Sequence, residues 1–158
     1  MVGEGGSQSQ FEALAGKLGV GDRVRFLTGV PDRDLPALYN LAEVYLGVSR
    51  QAESMVEGFG ISLVEASACG LPVIGGRSGG IPDTVKEGET GILVDPDSAQ
   101  ATAEGIRRIL QDTALARRLG AGGRRAVETY FNWTRVTEDM MRIAEEFSVQ
   151  APTPPRAR

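Results

Sequence analysis

The chain has 158 residues, enough for one domain around a single core and too few for two comfortable ones. Seventeen basic and twenty-one acidic side chains give a formal charge of -4, which argues against duplex nucleic acid as a partner. One cysteine and no histidine exclude an internal disulfide and a Cys/His metal cluster, and no apolar run nears the roughly twenty residues that cross a membrane.

The opening "MVGEGGSQSQ" lacks a secretory h-region, and with the lone Cys69 it points to the cytoplasm. "FEALAGKLGV" then carries Phe11, Leu14, Ala15 and Leu18 at helical spacing and ends on Gly19, suited to a left-handed cap. "RVRFLTGV" alternates charged and apolar residues and reads as a strand with Val24, Phe26 and Leu27 inward. A helix over "DRDLPALYNLA" follows, capped by either Asp32 or Asp34. "EVYLGVS" is a short apolar run, expected as a strand covered on both faces.

Residues 61–69 are helix-length and stop at Gly70, and "LPVIGG" is a strand entered through Pro72. "SGGIPDTV" leads into a short helix with Pro82 in its first turn, and "TGILVDP" reads as the last strand. Helices are expected through Ala99, Ala103, Ile106 and Leu110, and again through Leu115, Leu119, Ala126 and Tyr130. Gly120, Gly122 and Gly123 weaken the second of these. Trp133, Val136, Met140, Ile143, Ala144 and Phe147 form a last helical stripe, either packed on this domain or partly exposed. Residues 150–158 are expected to be a disordered tail after a domain over 1–149.

This alternation predicts an α/β fold, a Rossmann-like parallel sheet with helices on both faces. Ligands bind such sheets at the carboxyl ends of the strands, where both double-glycine turns fall. Gly58 and Gly60 let backbone N–H groups of Gly60, Ile61 and Ser62 approach a bound group, and helix N-termini attract phosphate. Glu57 would repel that phosphate, so it suits neutral sugar hydroxyls. Glu65, in a run that reads as core, needs a polar partner: the vicinal hydroxyls of a ribose, or an arginine such as Arg50 or Arg77. One glutamate at each end of a helix-anchored diphosphate describes a nucleotide sugar. Ser78, Gly79 and Gly80 either contact a sugar or only tighten a strand-to-helix turn.

Beyond spacing, "EGFGISLVE" resembles the E-x7-E motif of retaining glycosyltransferases of the GT-B fold, especially the fourth sequence family. "EASACGLPVIGGRSGGIPDTVKEGETGILVDP" continues in that family's order, and "VGEGG", "DRVRFLTGV" and "DLPALYNLAEVYLGVS" resemble the segments before it. The likeness covers roughly residues 2 to 147.

The resemblance implies the donor-binding half of a hexosyltransferase that uses a nucleoside diphosphate sugar and no further cofactor. It places Glu57 beside the donor sugar as the catalytic carboxylate. Gly58, Phe59 and Gly60 form a turn against the sugar hydroxyls, while Ile61, Ser62 and Leu63 form the helix start that holds the diphosphate. Glu65 becomes the ribose ligand, and Gly29 and Val30 lie beside the nucleobase. No metal is implied by the resemblance.

In the family a further strand and helix, with an arginine and a lysine on the diphosphate, precede the first segment matched here. An N-terminal acceptor-binding domain is also expected as a partner, and without it the chain alone is expected to be inactive. An unpaired sheet edge would permit a homodimer, and the paired arginines at 107–108, 117–118 and 124–125 are either solvated faces or a membrane contact. The alternative to a piece of an enzyme is a noncatalytic nucleotide-binding or interaction module of the same fold.

Overall fold

The computed structural model describes residues 1–3, 6–50 and 57–150, with side chains to residue 147. Two compact units emerge, Met1–Leu41 and Ala42–Arg158. Part of "VGEGG" and residues 151–158 of the expected tail lie outside the described residues.

In the first unit, helix α1 (Gln8–Lys17) forms as its spacing predicts and ends at Gly19, whose φ of +69° is the left-handed conformation expected of it. Of its residues only Ala15 is buried; Phe11 and Leu14 remain 45% and 51% exposed. The expected strand over 23–30 is not formed as such. Its start is a 3-10 turn, Gly21–Arg23, and its pairing reduces to one parallel bridge, Val2 with Leu27. Val24 and Phe26 are half-buried and Arg25 is exposed, as the alternation predicts, but Leu27, expected inward, is exposed; among the described residues the segment pairs with the short Met1–Gly3 stretch. Helix α2 (Leu35–Asn40) follows another 3-10 turn, Asp32–Asp34, with Pro36 in its first turn. Asp34 is its N-cap residue but makes no side-chain capping bond.

The second unit holds the α/β sheet: β1 (Tyr45–Gly47), β2 (Val73–Gly76) and β3 (Gly91–Val94), all parallel, in the order β1-β2-β3. Register puts Tyr45 opposite Val73 and Val73 opposite Gly91. Side chains alternate across a sheet, so Gly47, Val73, Gly75 and Gly91 share one face and Ile74, Ile92 and Val94 the other. On the first face lie α3 (Ile61–Ala68) and α4 (Ile81–Thr84): a Cβ on Gly47 would meet Leu63 at 2.9 Å, and one on Gly75 would meet Ile81 at 2.6 Å.

On the second face Ile74, Ile92 and Val94 close a core with Ile109 of α5 (Ala99–Gln111) and Leu119 of α6 (Thr113–Thr129). Each such side chain contributes about 1.5–3 kcal/mol by leaving water. Surface ion pairs such as Arg124–Glu128, both half-exposed, are worth about 1 kcal/mol at most, so the apolar cluster holds the unit together. Central β2 is buried throughout, whereas Leu46 on β1 is exposed, so the expected covering on both faces stops short of β1.

Ser98 and Asp112 cap α5 and α6 through their side chains, accepting from Ala101 N–H and from Ala114 and Leu115 N–H. Helix α6 runs unbroken through its glycines for a packing reason. A Cβ at Gly120 would lie 2.1 Å from the Gly70 carbonyl oxygen, and one at Gly122 would lie 2.1 Å from that of Glu89. Residues that weaken the helix in isolation are those that let it settle on the end of α3 and the loop before β3. Helix α7 (Trp133–Gln150) includes the first residue assigned to the tail, and its stripe is exposed except at half-buried Val136, with Trp133 at 85%.

Candidate functional site

Between β1 and α3 the described chain resumes at Glu57, and the Gly58–Gly60 turn sits in front of α3. Gly60 is buried with φ +80°, a conformation few side chains adopt, and serves as the N-cap of α3. The Glu57 carboxylate folds over this turn: its Oε1 accepts from Gly60 N–H at 3.0 Å and from Phe59 N–H at 3.5 Å. One oxygen is thereby fixed by backbone amides, which sets the orientation of the other.

The second double-glycine turn packs directly behind the first. Gly80 N–H donates to the Glu57 carbonyl at 2.9 Å, and a Cβ on Gly80 would meet the Gly58 carbonyl oxygen at 2.0 Å. Thr84 Oγ1 on α4 donates to the Phe59 carbonyl at 2.5 Å. The sequence expectation that both turns meet at the carboxyl ends of the strands is met, and they brace each other. Ser78, in the second turn, is buried, and its hydroxyl has no hydrogen-bond partner among the described residues.

Ile61 is exposed and Ser62 half-buried, so the first turn of α3 presents these two residues outward. Leu63 does not face the same way: its side chain lies under Gly47, and its N–H donates to the Gly60 carbonyl at 2.9 Å. Glu65 corrects an expectation. It was expected in the core because its neighbours are apolar, yet it is exposed. Leu63, Ala66 and Ser67 are the buried positions of α3, and a residue at 100° per step between them points to the opposite side. Of the two arginines offered as its partner, Arg77 pairs with Glu87 at 3.3 Å and Arg50 with Asp97 at 3.6 Å.

Sequence reasoning passed over Tyr45. Its phenol is half-buried, and the Ser62 side chain and the charges of Glu65 and Glu57 act on it. Burial holds its pKa above the ordinary 10.0; Ser62 opposes that rise, and the two carboxylates reinforce it. The signal available was a tyrosine inside a strand, since a buried phenol needs a polar partner.

Phe59, 42% exposed, meets Phe131 edge-on at 5.7 Å between centroids, and Phe131 meets Tyr130 at 5.1 Å. Arg135 covers Tyr130 at 4.0 Å. An aromatic chain therefore ties the Gly-Phe-Gly turn to the first turn of α7. Gly29, with φ +64°, and half-buried Val30 belong to the first unit. Among the described residues no group of three or more Cys, Asp or Glu side chains is placed to hold a metal ion, and no helix is long and apolar enough to cross a membrane.

The family model for glycosyl transferases group 1 matches residues 1–126. Over 135 residues the chain is 38% identical to a GDP-mannose-dependent alpha-(1-6)-phosphatidylinositol monomannoside mannosyltransferase of Mycolicibacterium smegmatis, covering 84% of this chain and 35% of that one. Sucrose-phosphate synthase of Thermosynechococcus elongatus superposes with a TM-score of 0.83 at 36% identity, over 95% of this chain and 38% of its own. Anabaena HepE, solved in complex with UDP, gives 0.78 at 27% identity, over 94% and 40%. The chain spans little more than a third of the length of these relatives.

Proposed function

The chain belongs to the glycosyl transferases group 1 family and carries part of its GT-B fold, and we propose that it is the donor-binding part of a retaining hexosyltransferase. The donor is a nucleoside diphosphate sugar, and the site is the Gly58–Gly60 turn with the start of α3. One observation carries this reading: the Glu57 carboxylate is held by the Gly60 and Phe59 amides over the turn that opens α3, where backbone amides and the helix dipole favour a diphosphate.

Each residue then has a task. Ile61 and Ser62 receive the diphosphate at amides that have no intrahelical partner, while Leu63 closes the turn from beneath. Glu65, one turn along and directed outward, accepts from the two vicinal hydroxyls of the ribose. Gly58, Phe59 and Gly60 lie against the hexose. Glu57, held by the Gly60 and Phe59 amides before any ligand arrives, presents its second oxygen where positive charge develops on the departing sugar. A preoriented charge of this kind needs no reorganisation during the reaction. Transfer to an acceptor needs the acceptor-binding half that longer relatives include, so this chain alone binds donor without turnover.

Relatives of the chain include a GDP-mannose-dependent enzyme and a structure solved with UDP, so both bases belong in the test. Ligand-detected NMR of the chain with GDP, UDP and their sugar conjugates should show saturation transfer to ribose protons that is lost in Glu65→Ala. Failure of the folded chain to bind any nucleoside diphosphate overturns the reading.

A further inference from the structure

Thr84, the last residue of α4, is buried on the sheet face that α4 shares with α3. A hydroxyl leaves water at a cost unless it finds a partner, and this one has a single proton to give. It lies 2.5 Å from the Phe59 carbonyl and 3.4 Å from that of Gly80, so the bond runs to Phe59 in the Gly-Phe-Gly turn. The Phe59 carbonyl and the Gly60 N–H belong to one planar peptide unit, and in a trans unit they point in opposite directions. Gly60 N–H donates to the Glu57 carboxylate at 3.0 Å. Thr84 and Glu57 therefore grip the same peptide from its two ends. The neighbouring carbonyls are met by backbone: Gly80 N–H holds that of Glu57 at 2.9 Å, and Gly80 lies too close to that of Gly58 to carry a Cβ. Of these three carbonyl contacts, the one at Phe59 is made by a side chain.

We propose that Thr84 is a positioning residue of the hexose subsite: its hydroxyl anchors the Phe59–Gly60 peptide, and through the Gly60 amide it fixes the Glu57 carboxylate. The proposal rests on the donor-site reading, which sets this turn against the hexose. Valine has the shape of threonine without its hydroxyl, so Thr84→Val fills the same space and removes the bond. Thr84→Ser keeps the hydroxyl.

Two readouts on wild type and these two variants test the role. In the chain without ligand, amide exchange at Gly60 should speed about threefold to tenfold in Thr84→Val, the worth of one hydrogen bond, and stay near wild type in Thr84→Ser. With ligands, Thr84→Val should weaken UDP-glucose and GDP-mannose by a similar factor and leave UDP and GDP nearly unchanged, while Thr84→Ser restores the conjugates. Wild-type exchange at Gly60 in Thr84→Val overturns the role of Thr84 and leaves the donor site standing. Faster Gly60 exchange with both conjugates at wild-type affinity overturns it as well, because the turn would then not govern the hexose. Faster exchange throughout α3 and α4, with conjugates and free diphosphates weakened alike, assigns Thr84 to packing alone. A wild type that binds none of the four nucleotides removes the donor-site reading, and the hexose subsite with it.

Discussion

Helix α1 in the first unit and helix α6 in the second carry apolar residues at the same spacing, and they end differently. Leu119 of α6 is fully buried against Ile74 and Ile109, while Leu14 and Phe11 of α1 stay about half exposed. Even their glycines differ. Gly120 is pressed against a backbone carbonyl, whereas a Cβ on Gly16 would meet nothing within 4 Å. Periodicity identifies a helix and its apolar side, but only a neighbour on that side turns the pattern into stability. The candidate site belongs to the unit where the neighbours are present.

The largest expected effect tests that contrast directly. Ile74→Ala should cost about 2–5 kcal/mol in chemical denaturation, because it empties the centre of the second-unit core. Leu14→Ala should change stability by no more than about 0.5 kcal/mol. Comparable losses would mean that α1 has its apolar side covered in solution, and the two units would no longer differ. Next in size, Gly120→Ala should lose about 1–3 kcal/mol, since the new Cβ collides with the Gly70 carbonyl. Gly16→Ala should instead protect the α1 amides from exchange by about 0.5–1 kcal/mol, the helix preference of alanine over glycine in open space. A stable Gly120→Ala protein would break the explanation of how α6 runs through its glycines.

These glycines mark where the sequence stops being legible. Local pattern is enough to find α1, α3, α5 and α7, the parallel strands and the Gly-Phe-Gly turn. The need for glycine at 120 and 122 comes from carbonyls of residues 70 and 89, far away in sequence, so the same residues read as weaknesses of the helix. Glu65 misleads for the opposite reason. Val64 and Ala66 make its surroundings look like core, and only the helical angle from Leu63, Ala66 and Ser67 turns it outward. The strand expected over 23–30 has the right alternation, but a strand needs a partner, and alternation does not say how long that partner is. For Tyr45, the strand run is visible and the crossing of α3 above it is not.

The smallest expected effect lies where core and site meet. Burial and two nearby carboxylates raise the Tyr45 pKa above its ordinary 10.0, so the folded chain holds that proton more tightly than the unfolded one. A raised folded-state pKa means that this contribution to stability is complete below pH 10 and declines as pH climbs through the folded value. Thermal midpoints of wild type and Tyr45→Phe, followed from roughly pH 9 to pH 11, isolate the group because all other titrations are shared. The wild type should lose ground to the variant only in the upper part of that range. Parallel curves would mean that the phenol is solvated as freely as in the unfolded chain. Tyr45 would then face water, as Leu14 and Phe11 partly do.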